Sequence, residues 1–263
     1  MNSIFTVRDR QIAFEHVTSA ARECGRITSL VQVGSGAVGF RDDRSDLDFV
    51  IALDSDASMT EVMDYMHRKL AEKYDIIYFS QSEAAHLQVF LLSDMLEIDI
   101  GYGCYEHAAA RKPAFRVIYD DSGTVEEKMT RSREWMDDSI YGGKWKKDAG
   151  LACGSAWAHL MHAAVAINRG GYLRAVGELD CVRKLYADLL GDRFRLESDR
   201  FRELDALPEE EKAALKRTFV TDESPEALWT SLDALTDAIY RELEGCGMPV
   251  TKEMLLEYYR GLR

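Results

Sequence analysis

A chain of 263 residues holds one large domain or two modest ones at roughly 100–200 residues each, and 46% hydrophobic beside 30% charged residues is the composition of a folded protein, not a disordered one. Thirty-three basic and 46 acidic side chains leave a formal net charge of −13, which provides no phosphate-neutralising field and argues against coating of nucleic acid or anionic membranes. Five widely spaced cysteines at no metal-ligand spacing, charged residues Arg8, Asp9, Arg10 and Glu15 near the start, and no unbroken run of about 18 apolar residues lead us to expect a cytoplasmic protein with free thiols.

In chain order, residues 8–24 have the spacing of an amphipathic helix, and the short apolar run Ser29 to Val33 reads as a strand that ends at Gly34. A glycine-containing loop follows, with a short helix expected from about Gly36, and then a strand from Leu47 to Leu53 interrupted by Asp48. A helix over 59–73 has Ser58 as its expected N-cap, and 74–79 reads as a third strand. The runs 87–92 and 95–102 flank Ser93 and Asp94, the pattern of a tight hairpin, and 117–119 suggests an edge strand before the turn-forming Asp120, Asp121, Ser122 and Gly123. From about residue 125 the texture becomes helical, over 125–139, 150–168, 172–190, 225–243 and 251–260, with Glu209 to Glu211 as the first turn of a further helix. Residues 137–150 carry two glycines and a lysine cluster and are the expected connector. We therefore expect two domains, 1–124 and 125–263, the first holding 12 basic against 20 acidic side chains.

The informative stretch is VQVGSGAVGFRDDRSDLDFVI, residues 31–51. A strand delivers Gly34 and Ser35 to a turn whose free N–H groups and helix dipole suit phosphate, and the next strand brings in Asp46 and Asp48. Residues i and i+2 of a strand share a face about 7 Å apart, so these two carboxylates repel unless a cation bridges them. Oxygen ligands without histidine or cysteine suit Mg²⁺. In MLEIDIGY, Glu97 and Asp99 share the face opposite Ile98 and Ile100, and an acid in so apolar a run needs a partner. Beside the strand of Asp46 and Asp48, Asp99 would complete a metal site or take a proton from an incoming hydroxyl.

These residues resemble the signature of the DNA polymerase beta-type nucleotidyltransferase superfamily: Val33, Gly34, Ser35, a ten-residue spacer over 36–45, the alternation Asp46, Leu47, Asp48, Phe49, and a later acid, Asp99. Ala37 and Gly39 also match its small-molecule branch. The layout of a catalytic half followed by a helical half is similar to the bacterial aminoglycoside and lincosamide nucleotidyltransferases, and residues 117–129 look like the end of their catalytic domain. The resemblance implies an α+β fold, a mixed-sheet nucleotidyltransferase domain followed by an all-α helical-bundle domain that binds the acceptor. It implies two Mg²⁺ ions on Asp46, Asp48 and Asp99, a nucleoside triphosphate on Gly34, Ser35 and Arg44, and transfer of a nucleoside monophosphate, AMP first, to the hydroxyl of a small antibiotic-type acceptor, for which the net charge favours a cation, with release of pyrophosphate. The interdomain cleft is the expected acceptor site.

Other readings stay open on the sequence. Transfer to a protein hydroxyl, or to tRNA against the net charge, is one, and a non-catalytic nucleotide-binding module is another. Arg41 and Arg44 are phosphate neutralisers or surface ion pairs, and Lys144, Lys146 and Lys147 reach a triphosphate or form a solvated loop. His159 and His162, at i and i+3 with no acid evident on their helix face, read as packing residues; Trp145, Trp157, Tyr172 and Tyr186 line an acceptor pocket or form core. Glu178, early in a helix, is an alternative to Asp99 as general base, or a dipole-favoured carboxylate. Oligomeric state, including a homodimer, is not legible.

Overall fold

The computed structural model describes residues 4–40, 42–110, 114–135, 149–222 and 224–263. The chain divides into two compact units, Met1–Asp137 and Asp138–Arg263.

The first unit opens with α1 (Val7–Glu23), whose start is fixed by a reciprocal cap: Asp9 N–H donates to the Thr6 hydroxyl while Thr6 N–H donates to the Asp9 carboxylate. Six strands follow: β1 (Ile27–Gln32), β2 (Leu47–Leu53), β3 (Ile76–Ser82), β4 (Leu87–Leu92), β5 (Glu97–Cys104) and β6 (Arg116–Asp120). α2 (Met59–Ala71) lies between β2 and β3 in the chain, and α3 (Val125–Trp135) follows β6. The sheet order is β3-β4-β5-β2-β1-β6. β2 and β5 run parallel, and every other neighbouring pair is antiparallel, so the sheet is mixed.

Period-two alternation divides the sheet into two chemically distinct faces. Leu47, Phe49, Ile51 and Leu53 of β2 and Ile98, Ile100 and Tyr102 of β5 are buried with Ala13, Val17 and Ala21 of α1 and Val62, Met63, Met66 and Leu70 of α2 in one core. Asp48 and Val50, with Glu97, Asp99, Gly101 and Gly103, take the alternate positions and belong to the other face. Burial of the apolar set, worth about 1.5–3 kcal/mol per large side chain, fixes which way the acids point, because a one-residue slip would bring them into the core.

The expected two-residue hairpin is a four-residue connection, Ser93 to Leu96. Asp94 takes the Leu96 N–H on its carboxylate, Met95 adopts φ 71°, and Leu92 N–H bonds Leu96 C=O. A side chain that closes its own turn lengthened the loop beyond what the Ser-Asp pair suggested. β6 spans Arg116–Asp120 at the sheet edge, where the Asp120 carboxylate accepts from Ser29, Ser122, Gly123 N–H and Glu126 N–H and so joins β1 to the start of α3.

The second unit contains α4 (Ala149–Asn168), α5 (Tyr172–Phe194), α6 (Glu209–Arg217), α7 (Pro225–Glu242) and α8 (Lys252–Leu262). α4 passes to α5 through a turn with Gly170 at φ 72°. Ala156, Leu160, Ala163 and Ala164 of α4 meet Leu179, Val182 and Tyr186 of α5 and Leu228, Leu232, Leu235 and Ile239 of α7 in a second core. The segment Gly150–Asn168 is long and apolar enough by composition to cross a membrane, and its alanines Ala152, Ala156, Ala163, Ala164 and Ala166 are buried in the helical core. α7 starts with Ser224 as N-cap and Pro225 in its first turn, and Thr251 caps α8. The expected connector at 137–150 falls almost wholly outside the described residues.

Candidate active site

The site is built where β1 ends. Val33 still pairs with β2, its N–H donating to Asp48 C=O, and the chain then turns through a tight helical segment, Gly34–Val38, two residues earlier than expected. Gly34 has φ 63°, and a methyl group there would collide with the Asp48 carboxylate, so both conformation and space require glycine. Gly36 is held as closely: a methyl group would strike the Gln32 amide and come within 3.0 Å of the Phe40 ring.

The parallel register of β2 and β5 sets Asp48 directly beside Asp99. Both are half-buried. One Asp99 oxygen, Oδ1, is buried without a hydrogen-bond partner among the described residues, and so is Ser35 Oγ. Burial, reinforced by the charges of Glu97, Asp48 and Asp46, pushes the Asp99 carboxyl up to about 6. Asp120 in the same sheet behaves oppositely. Burial also opposes its charge, but hydrogen bonds from Ser122, Ser29 and the Glu126 backbone hold its carboxyl below the usual carboxylate range.

Asp46 precedes β2 instead of lying in it and is exposed, because the strand begins at Leu47. Arg44 is engaged locally: its guanidinium donates to Phe5 C=O at 2.6 Å, and its N–H donates to the Asp42 carboxylate at 2.6 Å. Arg41, Lys144, Trp145, Lys146 and Lys147 lie outside the described residues. Gly34, Asp48 and Asp99 therefore come together, with Ser35 on the same turn and Asp46 at its margin.

These donors are all oxygens, the chemistry for a hard divalent cation. Among the described residues no three acidic, histidine or cysteine side chains enclose a metal by themselves. Mg²⁺ keeps several waters and binds one or two carboxylates together with substrate phosphates. The orphaned Asp99 oxygen is the atom such a cation would satisfy.

In the helical unit, Glu178 is the acid that His159 and His162 lacked on their own helix. His159 Nδ1 lies 2.8 Å from Glu178 Oε2, His162 Nδ1 3.9 Å from Oε1, and Arg174 Nε 3.5 Å from Oε1. The expectation that the two imidazoles stand without an acid is corrected by a carboxylate arriving from α5. Burial favours the neutral form of Glu178, but the His159 hydrogen bond and the positive neighbours outweigh it and hold its carboxyl below the usual glutamate value. Tyr186 is fully buried, with its hydroxyl accepting from Arg241. Tyr172 packs partly buried against the helical core, and Trp157 has its indole N–H buried without a partner among the described residues.

Sequence reasoning passed over Gln32, Phe40 and Arg10. Gln32 stood out only as the one amide in an apolar strand; it is fully buried, its Oε1 accepts from Arg116, and its Nε2 lies under Gly36 without a partner among the described residues.

The molecule thus joins an acid-bearing mixed sheet to an all-α unit, an α+β arrangement. No protein-family model matches the chain, and no curated protein sequence matches it. Among solved structures it is similar to the crystal structure of an aminoglycoside 6-adenyltransferase from Bacillus subtilis, with 12% identity and a TM-score of 0.41, over 98% of this chain and 99% of that one.

Proposed function

We propose that this chain is a Mg²⁺-dependent nucleotidyltransferase that moves a nucleoside monophosphate, AMP first among them, from a nucleoside triphosphate to a hydroxyl of a small molecule of the aminoglycoside or lincosamide type. The observation that carries the proposal is the Gly34 turn closed against the Asp48 carboxylate, with Asp99 beside Asp48 in register. Residues 1–124 carry the catalytic part of the proposal and residues 125–263 the selection of the acceptor. The net charge of −13 favours a cationic acceptor, whose binding would weaken as salt rises.

In this reading the N–H groups of the turn and the Ser35 hydroxyl bind the β and γ phosphates. Asp46 and Asp48, joined by Asp99, would hold the cations, which would supply neutralisation of the charge on the triphosphate and its leaving group. Asp99 also orients the acceptor hydroxyl: oxygen bonds to the α-phosphorus, the bond from that phosphorus to the bridging oxygen breaks, pyrophosphate departs, and the hydroxyl proton passes to a carboxylate. Asp99 serves that last role better than Glu178, whose Oε2 is engaged by His159 at 2.8 Å and whose Oε1 lies 3.5 Å from the Arg174 guanidinium. Positioning and charge stabilisation provide the rate, as in other phosphoryl-type transfers.

The test is release of pyrophosphate from each labelled triphosphate with Mg²⁺ and a panel of aminoglycosides and lincosamides. Wild type should turn over at least one pair and Asp48→Asn should not; equal release by both sinks the proposal.

A further inference from the structure

Arg10 is a cation on the inner face of α1 and only 3% exposed, a costly place for a charge unless it is used. Among the described residues it has no carboxylate partner. Its Nη1 instead donates to two main-chain carbonyls of the loop before the acids, Asp42 C=O and Ser45 C=O, each at 3.0 Å. Its guanidinium carbon stands 3.7 Å from the centroid of the Phe40 ring. The second carbonyl belongs to the peptide that leads into Asp46. Phe40 in turn lies against Gly36, with Gln32 beneath the same glycine. One buried side chain thus touches both ends of the loop: through Phe40 the turn proposed to hold phosphate, through Ser45 the backbone of a proposed metal ligand.

We propose that Arg10 is a positioning residue that clamps this loop from below and so sets the turn and Asp46 for Mg²⁺ and triphosphate. The inference rests on the proposed function and adds a residue to it. An apolar side chain would fill the space on α1 at lower desolvation cost, but it offers no donors to a loop whose described residues pair with no strand. The planar fork reaches two carbonyls while its face stacks on an aromatic ring. Lysine can make the former contact in part and lacks the stacking. Within the loop itself, Asp42 Oδ1 accepts from Arg44 N–H and, at 3.3 Å, from the Ser45 hydroxyl, so Arg10 grips a turn that is already shaped.

The test compares the full-length chain with Arg10→Met, Arg10→Lys, Phe40→Leu and a control, Val17→Ala, which removes volume from an equally buried position of α1. In the metal-free protein, Arg10→Met should speed amide exchange at residues 34–40 and 42–48 by about tenfold and leave α2 and β4 protected, whereas Val17→Ala lowers the melting temperature without loosening that loop selectively. Binding of Mn²⁺ with a non-hydrolysable ATP analogue, read by electron paramagnetic resonance, should weaken roughly 10–100-fold in Arg10→Met and less in Arg10→Lys, and stay near wild type in Val17→Ala. Should Arg10→Met not fold, Phe40→Leu carries the same expectation on a smaller scale. Unchanged loop exchange, or a loosened loop with wild-type affinity, overturns the inference. If wild type itself binds no Mn²⁺–nucleotide, the functional reading falls and the positioning role with it, while the exchange data still decide whether the clamp exists.

Discussion

Asp99 in the sheet and Glu178 in the helical unit are both partly buried carboxylates, and the chain treats them in opposite ways. Glu178 is met by two imidazoles and a guanidinium, and its carboxyl is lowered. Asp99 is met by Glu97, Asp48 and Asp46, keeps one oxygen without a partner among the described residues, and is raised to about 6. A fold that can pair a partly buried acid in one place and leaves another among like charges is maintaining an unfavourable arrangement. Such arrangements mark functional sites, where a ligand supplies the missing charge. The comparison predicts that neutralising the sheet acids destroys activity without harming the fold, and that neutralising the helical acid does the reverse.

The largest expected effect is on turnover. Asp48→Asn should lower nucleotidyl transfer by about 1,000-fold, in line with loss of a group that stabilises transition-state charge, while the fold is kept. A parallel loss of structure, followed by circular dichroism, would reduce Asp48 to a scaffold residue. Gly34→Ala tests the same contact from the other side. The added methyl meets the Asp48 carboxylate and forces a non-glycine residue to φ 63°, so activity should fall about 100-fold and stability by about 1–2 kcal/mol. Because Gly123 also has positive φ but nothing near its missing Cβ, Gly123→Ala should lose similar stability and keep its turnover.

Asp99→Asn separates charge from shape, and its effect is smaller. In metal-free protein the Asp99 carboxyl titrates near 6, above its unfolded value of 3.8, so its stabilising contribution is full below about 3.8 and is lost as pH rises through 6. Above that range wild type carries the repulsion and the variant does not. Asp99→Asn should therefore melt a few degrees higher than wild type at pH 7, about 1 kcal/mol once solvent screening of a half-exposed group is discounted, and the gap should close toward pH 4. Saturating Mg²⁺ with nucleotide should narrow or reverse the gap, because wild type binds the cation more tightly than a variant that keeps only Asp46 and Asp48.

Most of the sheet was legible because its information is local. The alternation in Leu47 to Leu53 and Glu97 to Cys104 states which side chains face the core, and Gly34, Ser35, Asp46 and Asp48 are close enough in sequence to be read together. The exact neighbourhood of Asp48 and Asp99 was not, since it depends on a parallel register between strands separated by α2 and a hairpin. Asp46 shifted from strand to margin because one residue decides where β2 starts. Arg10 was invisible for a different reason: its acceptors are backbone carbonyls 32 and 35 residues away, and a carbonyl carries no sequence signature. The same holds for His159 and Glu178, 19 residues apart on consecutive helices, whose meeting depends on how α4 and α5 pack.

Glu178→Gln gives the smallest and most discriminating result, because its sign is opposite to that of Asp99. The folded carboxyl is held below its ordinary value of 4.5, so the stability it contributes is present above about 4.5 and is lost as pH falls through the lower folded value. Glutamine keeps the size and one acceptor but not the charge that His159, His162 and Arg174 share. At pH 7 the variant should melt about 2–4 °C lower, corresponding to roughly 1 kcal/mol for a charged hydrogen bond on a partly exposed pair, and the difference from wild type should shrink in strong acid, where both side chains are neutral. Pyrophosphate release per folded molecule should stay within about twofold of wild type, since a carboxylate already engaged by His159 and Arg174 is not free to accept a substrate proton. A fall in turnover at unchanged melting temperature would reverse the assignment, making Glu178 the proton acceptor and leaving Asp99 to the metal alone.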